Sequence, residues 1–176
     1  MTGKGHSWTG IAVSAAVYKF SFDFGFSPMV AVAAFLIGVT APDWMEIRKS
    51  GGGTLIKHRT ITHWLPVWIL VFCLSFWAGE IDPKYLSFMG GAIEGNVARY
   101  IQSFFLGFSL GGLLHLLTDM PNPMGIPILT PTKRFSLKLW KSGKNEAAIV
   151  AVLFLCSMSY IGVLEFNLSI IDKYLN

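Results

Sequence analysis

The stretch VARYIQSFFLGFSLGGLLHLLTD, residues 97–119, decides the fold that we predict for this chain. Residues 97–117 form an apolar run, which predicts a transmembrane helix because about 20 apolar residues cross the hydrocarbon core of a bilayer. The stretch ends with His115 and Asp119, which are four residues apart and project from one face of a helix. We therefore expect a membrane span that carries two metal-ligand side chains at its end.

The composition of the chain is typical of a membrane protein. Its 176 residues are 53% hydrophobic and only 14% charged, whereas about a quarter of the residues in a soluble domain are charged. This length allows about five spans of about 20 residues with short loops between them. We predict an all-α fold, a polytopic helical membrane protein in which residues 1–176 form a single membrane-embedded domain.

Four further apolar segments complete the predicted architecture. Residues 61–79 and 147–166 are long enough to cross the bilayer, and the first has tryptophans towards its ends, as interfacial aromatic residues would be. Residues 8–22 and 28–41 are short for full crossings, so they form either two tilted spans or a re-entrant hairpin. Either arrangement returns the chain to the membrane face that it left.

The span at residues 97–117 also carries small residues at a helical spacing. Gly107 and Gly111 are four residues apart, and Gly112 follows directly. Small residues let two membrane helices approach closely, so these glycines predict a contact between helices and not a functional site.

The distribution of basic residues predicts the orientation in the membrane. With the amino terminus inside, ten of the 14 lysines and arginines lie on the inner side and four on the outer side, as the positive-inside rule requires. Topology and anionic lipid then account for the net charge of +4, and no nucleic-acid partner is predicted. The inner residues are Lys4, Arg48, Lys49, Lys57, Arg59, Lys133, Arg134, Lys138, Lys141 and Lys144; the outer residues are Lys19, Lys84, Arg99 and Lys173.

All four histidines of the chain fall at this predicted inner face, together with two aspartates. Neutral imidazole and carboxylate are the usual ligands of zinc and related divalent ions. The sequence therefore predicts a metal site at the cytoplasmic membrane edge, with one or two ions, zinc first and manganese or magnesium as alternatives. The candidate ligands are His6, Asp43, His58, His63, His115 and Asp119.

The HRTITHW element, residues 58–64, predicts an interruption of helix. His58 and His63 are five residues apart and would diverge on a regular helix, so at least one precedes the helix or lies in a bend. Thr60 or Thr62 is a candidate cap for the helix that follows. For any single histidine the alternative is a hydrogen-bonded interfacial imidazole without metal.

Three stretches of the sequence together resemble a known family. APDWMEI at 41–47, HRTITHW at 58–64 and HLLTDMPNPMGIPILTP at 115–131 are similar, in order and spacing, to the LexA-regulated, membrane-bound metal-dependent hydrolases of bacteria. The resemblance implies a multi-pass protein of the bacterial inner membrane with a hydrolase site at the cytoplasmic face. Many members carry a second aspartate where this chain has Met45, and Glu46 is the residue that could compensate.

Hydrolysis is the chemistry that such a site would support. A divalent ion lowers the pKa of bound water from about 15.7 to about 7 and polarises an ester or phosphoryl oxygen. We expect Arg59, as a phosphate or transition-state partner, and Glu46, as the carboxylate that orients water, to be the catalytic residues. Arg59, Lys133 and Arg134 are the expected substrate-binding residues. Because the amphipathic basic segment 133–144 would lie at headgroup level, we expect a lipid or lipid-linked substrate.

Two non-catalytic functions remain open. Histidines and carboxylates at a membrane edge also occur in metal transport, although a transporter is expected to place polar groups in the bilayer middle or at both faces. A structural metal could instead hold short helical hairpins together through closed coordination, with no bound water. An open coordination position would favour catalysis over the structural metal.

The basic-residue bias predicts a cytoplasmic amino terminus and a carboxyl terminus on the outer side. A reporter that is active only in the cytoplasm should therefore stay inactive when it is fused after Asn176. The same reporter fused before Met1 should be active and serves as the control. Activity of the carboxyl-terminal fusion would contradict the predicted odd number of crossings.

Overall fold

The computed structural model describes residues 1–46, 60–78 and 95–164. Within these ranges the chain is predominantly helical, with one short antiparallel pair of strands, which confirms the helical class. The elements are α1 (Gly3–Asp23), α2 (Pro28–Gly38), α3 (Ala41–Trp44), a 3-10 turn (Ile61–His63), α4 (Leu65–Trp77), α5 (Gly95–Asp119), β1 (Ile126–Pro127), β2 (Arg134–Phe135) and α6 (Glu146–Tyr160).

Each of the five apolar segments contains helix, but most of these helices are shorter than a full span. Among the described residues, only Asn96–Asp119 is a helix long and apolar enough to cross a membrane. The apolar helices α2, α4 and α6 have 11, 13 and 15 residues. At 1.5 Å per residue such helices fall short of a hydrocarbon core of about 30 Å. The predicted multi-pass arrangement, with three full spans and two short segments that form either tilted spans or a hairpin, is therefore not confirmed, and one clear candidate span remains.

The helices bury small polar side chains and expose large apolar ones. Ser21, Ser103 and Ser109 are fully buried, whereas Met29 and Trp77 are 73% and 72% exposed. A soluble protein shows the opposite preference, because water favours polar groups at the surface. Small hydroxyl residues between helices and apolar residues outside are the arrangement expected of helices surrounded by lipid.

The long helix α5 packs closely on α2 through its glycines. A Cβ atom added at Gly107 would lie 2.0 Å from the carbonyl oxygen of Ala31, and one added at Gly111 would lie 2.3 Å from that of Phe35. These separations leave no room for a side chain between the two backbones. The predicted helix contact is thus confirmed, with α2 as the partner of the glycines.

The helix α4 also packs on α5, and Trp68 makes the contact. Its indole ring would lie 2.0 Å from a Cβ atom added at Gly112, and its ring nitrogen donates to the carbonyl oxygen of Thr62 at 2.8 Å. Trp68 is only 4% exposed and packs with Leu116 and Ile126 in one apolar cluster. The tryptophan therefore fixes the 3-10 turn relative to the end of α5.

The chain after α5 folds back along the end of that helix. Beyond β2, the backbone N–H groups of Leu137 and Leu139 donate to the carbonyl oxygens of Met120 and Pro121 at 3.1 and 2.9 Å. These bonds hold the basic segment 133–144 beside the carboxyl end of α5.

The start of α1 is tied to the start of α6 by Glu146. Its carboxylate accepts hydrogen bonds from the backbone N–H and the hydroxyl of Thr2, both at 2.6 Å, and from the N–H of Gly143 at 3.0 Å. Burial raises the pKa of Glu146, but the bonds from Thr2 outweigh burial, so the pKa lies below its usual value. Glu146 is therefore negatively charged near neutral pH.

Replacing Gly107 with alanine should destabilise the protein even though alanine is the better helix former. The added methyl group meets the backbone of Ala31, and the resulting overpacking should cost about 1 to 3 kcal/mol, which outweighs a gain of about 1 kcal/mol in helix propensity. The melting temperature of the protein in detergent should fall. Gly3→Ala is the control, because nothing lies within 4 Å of its added Cβ atom. Equal melting temperatures of the two variants would contradict the close contact.

Candidate metal centre

Four elements meet at the carboxyl end of α5 and bring five of the predicted ligands together. His6 lies near the start of α1, Asp43 lies in α3 and His63 ends the 3-10 turn. His115 and Asp119 lie in the last turns of α5, one helical turn apart. The three histidines and Asp119 are at most 1% exposed. These residues form the candidate centre.

The imidazole Nε2 atoms face one another and the two carboxylates. Those of His63 and His115 are 3.3 Å apart, and Asp43 Oδ1 lies 3.4 and 3.7 Å from them. Asp119 Oδ1 lies 3.4 Å from His6 Nε2, and Asp119 Oδ2 lies 3.7 Å from His115 Nε2. Two groups each have donor atoms within 4.8 Å of one another: His6, Asp43 and His115; and His63, His115 and Asp119. The donors therefore converge on one small volume.

Two of the histidines are oriented by hydrogen bonds at Nδ1. His115 Nδ1 lies 2.8 Å from the carbonyl oxygen of Val39; since a carbonyl only accepts, Nδ1 carries the proton and Nε2 presents a lone pair. Thr118 Oγ1 lies 3.1 Å from His6 Nδ1 and donates its own proton to the carbonyl oxygen of His115 at 2.9 Å. The hydroxyl oxygen therefore accepts from His6 Nδ1. Metal-binding histidines are typically oriented in this way.

His63 is oriented through the same atom. Its Nδ1 lies 3.1 Å from Thr62 Oγ1 and 3.6 Å from Glu46 Oε1. A carboxylate on this side favours a proton on Nδ1, so Nε2 again presents the lone pair. Glu46 thus approaches the side of the ring opposite to the convergence of Nε2 atoms. The predicted role in orienting water would instead require Glu46 on the side of that convergence. Thr62 contacts the imidazole and does not cap α4, and Thr60 is the N-cap of the 3-10 turn without a side-chain capping bond.

The donor set fits a divalent cation in spacing and charge. Nitrogen ligands of one tetrahedral zinc lie about 3.3 Å apart, given zinc–nitrogen distances of about 2.0 to 2.1 Å, and the Nε2 atoms of His63 and His115 are 3.3 Å apart. The carboxylates of Asp43 and Asp119 among neutral imidazoles supply two negative charges, which a divalent cation neutralises. The α-amino group of Met1 also contacts Asp119 Oδ1 and brings one positive charge to this edge.

Asp43 forms the open side of the centre. Its side chain is 40% exposed, whereas those of His63 and His115 are fully buried. Burial raises the pKa of the Asp43 carboxyl group, but its interactions with His63 and with the other two imidazoles outweigh burial, so the pKa lies below its usual value. The group that faces solvent is therefore an ionised carboxylate.

The residues that support the ligands were not identified from the sequence. Thr62 and Thr118 each directly precede a candidate ligand, which was the available signal. Asn122, only 2% exposed, donates from Nδ2 to Asp119 Oδ1 at 2.9 Å. Its position three residues after the aspartate suits a local side-chain contact at a helix end. The contact of Val39 uses a backbone carbonyl, which no side-chain pattern reveals.

Of the remaining predicted site residues, only Lys133 and Arg134 lie in the described part of the chain, and they are not among the converging side chains. His58 and Arg59 lie outside the described residues. Lys133 and Arg134 are exposed, at the start of the basic segment that runs beside the end of α5. Their predicted contact with substrate stays a prediction.

A match to a known family covers nearly the whole chain. The sequence profile described as YdjM inner membrane protein matches residues 1–171. The chain belongs to the YdjM inner membrane protein family. No curated protein and no solved structure matches it significantly. Membership in the YdjM family and the apolar helix Asn96–Asp119 support the predicted location in the inner membrane. The YdjM name describes a location and assigns no reaction.

Replacing Asp119 with asparagine should weaken metal binding more than folding. The variant keeps the shape of the side chain but removes a charge that faces His6 and His115. Loss of a ligand should cost at least the 10- to 100-fold in affinity that is typical of supporting residues. Zinc bound per protein, measured by elemental analysis after equilibration at micromolar zinc, reports the effect.

Asp23→Asn is the matched control for this experiment. Asp23 pairs with Lys19 at 2.9 Å on the exposed end of α1, so its loss should leave bound zinc unchanged. Unchanged zinc in Asp119→Asn as well would rule out Asp119 as a ligand.

Proposed function

We propose that this protein is a metal-dependent hydrolase that cleaves a phosphoester or ester of a lipid or membrane-associated substrate at the cytoplasmic face. The observation that carries the proposal is the convergence of donor atoms with one exposed member, Asp43. Catalytic metal sites keep a position open for water or substrate, whereas structural sites are closed by protein ligands. An open edge therefore favours catalysis.

The side chains of the centre have the chemistry needed to hold a cation. His6, His63 and His115 present Nε2 lone pairs from fixed rings. The carboxylates of Asp43 and Asp119 offset the charge of the cation. A divalent ion held there would supply Lewis acidity, polarise an ester or phosphoryl oxygen and lower the pKa of water. The buried side of the centre excludes bulk water, which strengthens electrostatic interactions with a reacting group.

The geometry favours one ion over two. Both groups of donors include His115, and a neutral imidazole has one nitrogen lone pair, so it binds one ion at a time. Of the one or two ions predicted, we therefore propose a single ion, with zinc as the first candidate and manganese or magnesium as alternatives. His58, which lies outside the described residues, is not part of this assignment.

Basic residues in the segment after α5 suit an anionic substrate. The backbone of the segment 133–144 is bonded to Met120 and Pro121, which follow Asp119, so Lys133 and Arg134, at the start of this segment, are candidates for binding phosphate. Arg59 keeps its proposed role as phosphate or transition-state partner, because it directly follows His58 in the same element. In this arrangement Glu46 is better suited to orienting His63 than to acting on water.

A structural or transported metal is the second candidate function. The near-complete burial of four donors favours a structural ion, since closed coordination needs no access. Such a protein would bind metal without turnover. Metal transport would appear as uptake of the ion into vesicles that contain the protein.

The hydrolase proposal is tested with purified protein and lipids extracted from the inner membrane. Addition of Zn²⁺ or Mn²⁺ should lead to release of a lipid-derived product, detected by mass spectrometry, by the wild type. His63→Ala should abolish release, because it removes one of the converging Nε2 atoms. Asp23→Asn should behave as the wild type. If the protein binds one metal ion per chain but releases no product from any ester, catalysis would be contradicted and a structural ion supported.

A further inference from the structure

Two apolar grooves flank α6. The α1–α6 groove has a volume of about 570 Å³ and the α5–α6 groove about 410 Å³, both within the range of ligand pockets, about 300 to 1,000 Å³. The lining residues used below are Lys4, Trp8, Glu146 and Ala151 for the α1–α6 groove, and Leu114, Thr118, Trp140, Asn145, Ala148 and Val152 for the α5–α6 groove.

The α5–α6 groove shares one wall residue, Thr118, with the surroundings of the candidate metal centre. Thr118 lines the groove, and its hydroxyl lies 3.1 Å from His6 Nδ1. The next residue along α5, Asp119, lies 3.4 Å from His6 Nε2. One side chain thus forms part of the groove wall and orients a ligand of the centre. A molecule in the groove would therefore lie behind the imidazole of His6, on the side opposite to the converging Nε2 atoms.

The two grooves differ in the charge at their ends. Trp140 and Asn145 line the α5–α6 groove at the basic segment, and Lys141 and Lys144, both exposed, are their neighbours in the chain. The carboxylate of Glu146 lines the other groove, where it is held by Thr2 and Gly143. Lys4 lines the same groove as Glu146 and offsets its charge. An anionic group is therefore favoured at the α5–α6 groove over the α1–α6 groove.

We propose that the α5–α6 groove binds one acyl chain of an anionic phospholipid, with the phosphate beside Lys141 and Lys144, at the same end of α5 as the metal centre. The apolar wall formed by residues such as Leu114 and Val152 suits a hydrocarbon chain, and the lysines at one end suit its headgroup. This inference rests on the proposed hydrolase function, for which it names the substrate class: a glycerophospholipid that carries a net negative charge.

Retention of lipid by the purified full-length protein tests the groove without requiring catalysis. Protein in mixed micelles that contain equal amounts of phosphatidylglycerol and phosphatidylcholine is analysed by native mass spectrometry. The wild type should retain phosphatidylglycerol preferentially. Ala148→Phe fills the α5–α6 groove and should reduce retention about tenfold or more. Ala151→Phe, on the same helix and equally exposed but lining the α1–α6 groove, should leave retention unchanged.

A second variant does not alter packing. Lys141→Gln/Lys144→Gln should lower the preference for phosphatidylglycerol about tenfold, because each basic residue near a membrane surface contributes to attraction of anionic lipid. This variant decides the question if Ala148→Phe does not fold. Equal retention of the two lipids by the wild type, or equal losses in Ala148→Phe and Ala151→Phe, would overturn the inference. So would a dimer that Ala148→Phe dissociates, because the groove would then be covered by a second copy.

The same samples separate this inference from the proposed reaction. With zinc added, specific retention of phosphatidylglycerol without any cleavage would contradict the hydrolase and leave the groove as a lipid site. Cleavage of phosphatidylglycerol that Ala148→Phe leaves unchanged would contradict the groove and support the hydrolase.

Discussion

The contact between the backbones of α2 and α5 is the constraint on which the rest of the structure depends. Gly107 and Gly111 let the two helices touch, with a carbonyl oxygen of α2 where a Cβ atom would stand at each glycine. The same approach brings the carbonyl oxygen of Val39 to 2.8 Å from His115 Nδ1. A larger residue at either glycine would separate the helices and remove the acceptor that fixes the imidazole. Helix packing and the orientation of a candidate ligand are therefore one structural feature.

The parts predictable from the sequence are those with a local signal. The long apolar run at 97–117 corresponds to α5, and the four-residue spacing of His115 and Asp119 places both at its end. The glycines predicted a helix contact, which is with α2 at Gly107 and Gly111 and with α4 at Gly112. Periodicity and residue size within one segment were sufficient for each of these conclusions.

The parts that the sequence did not reveal depend on contacts between distant residues. The interruption of helix predicted at residues 58–64 is confirmed by the 3-10 turn before α4, but the bond from Trp68 to Thr62 that holds this turn could not be predicted. Val39 and His115 are 76 residues apart, and their contact uses a carbonyl group that every residue possesses. The side of His63 that Glu46 approaches likewise depends on how α3 meets the 3-10 turn. Spacing along the chain carries no information about these geometries.

The position of the centre at the end of apolar helices explains why its ligands are so completely oriented. Burying a carboxylate without a partner raises the free energy of the folded state where water is excluded. A nearby cation or hydrogen-bond donors reduce this penalty. Asp119 is met there by Asn122 Nδ2, by the Met1 amino group and by neighbouring imidazoles. Each imidazole in turn has its proton engaged on the outer side of the cluster, so that lone pairs remain on the inner side. An environment that opposes uncompensated charge thereby leaves a set of donors with the chemistry and spacing that suit a divalent cation.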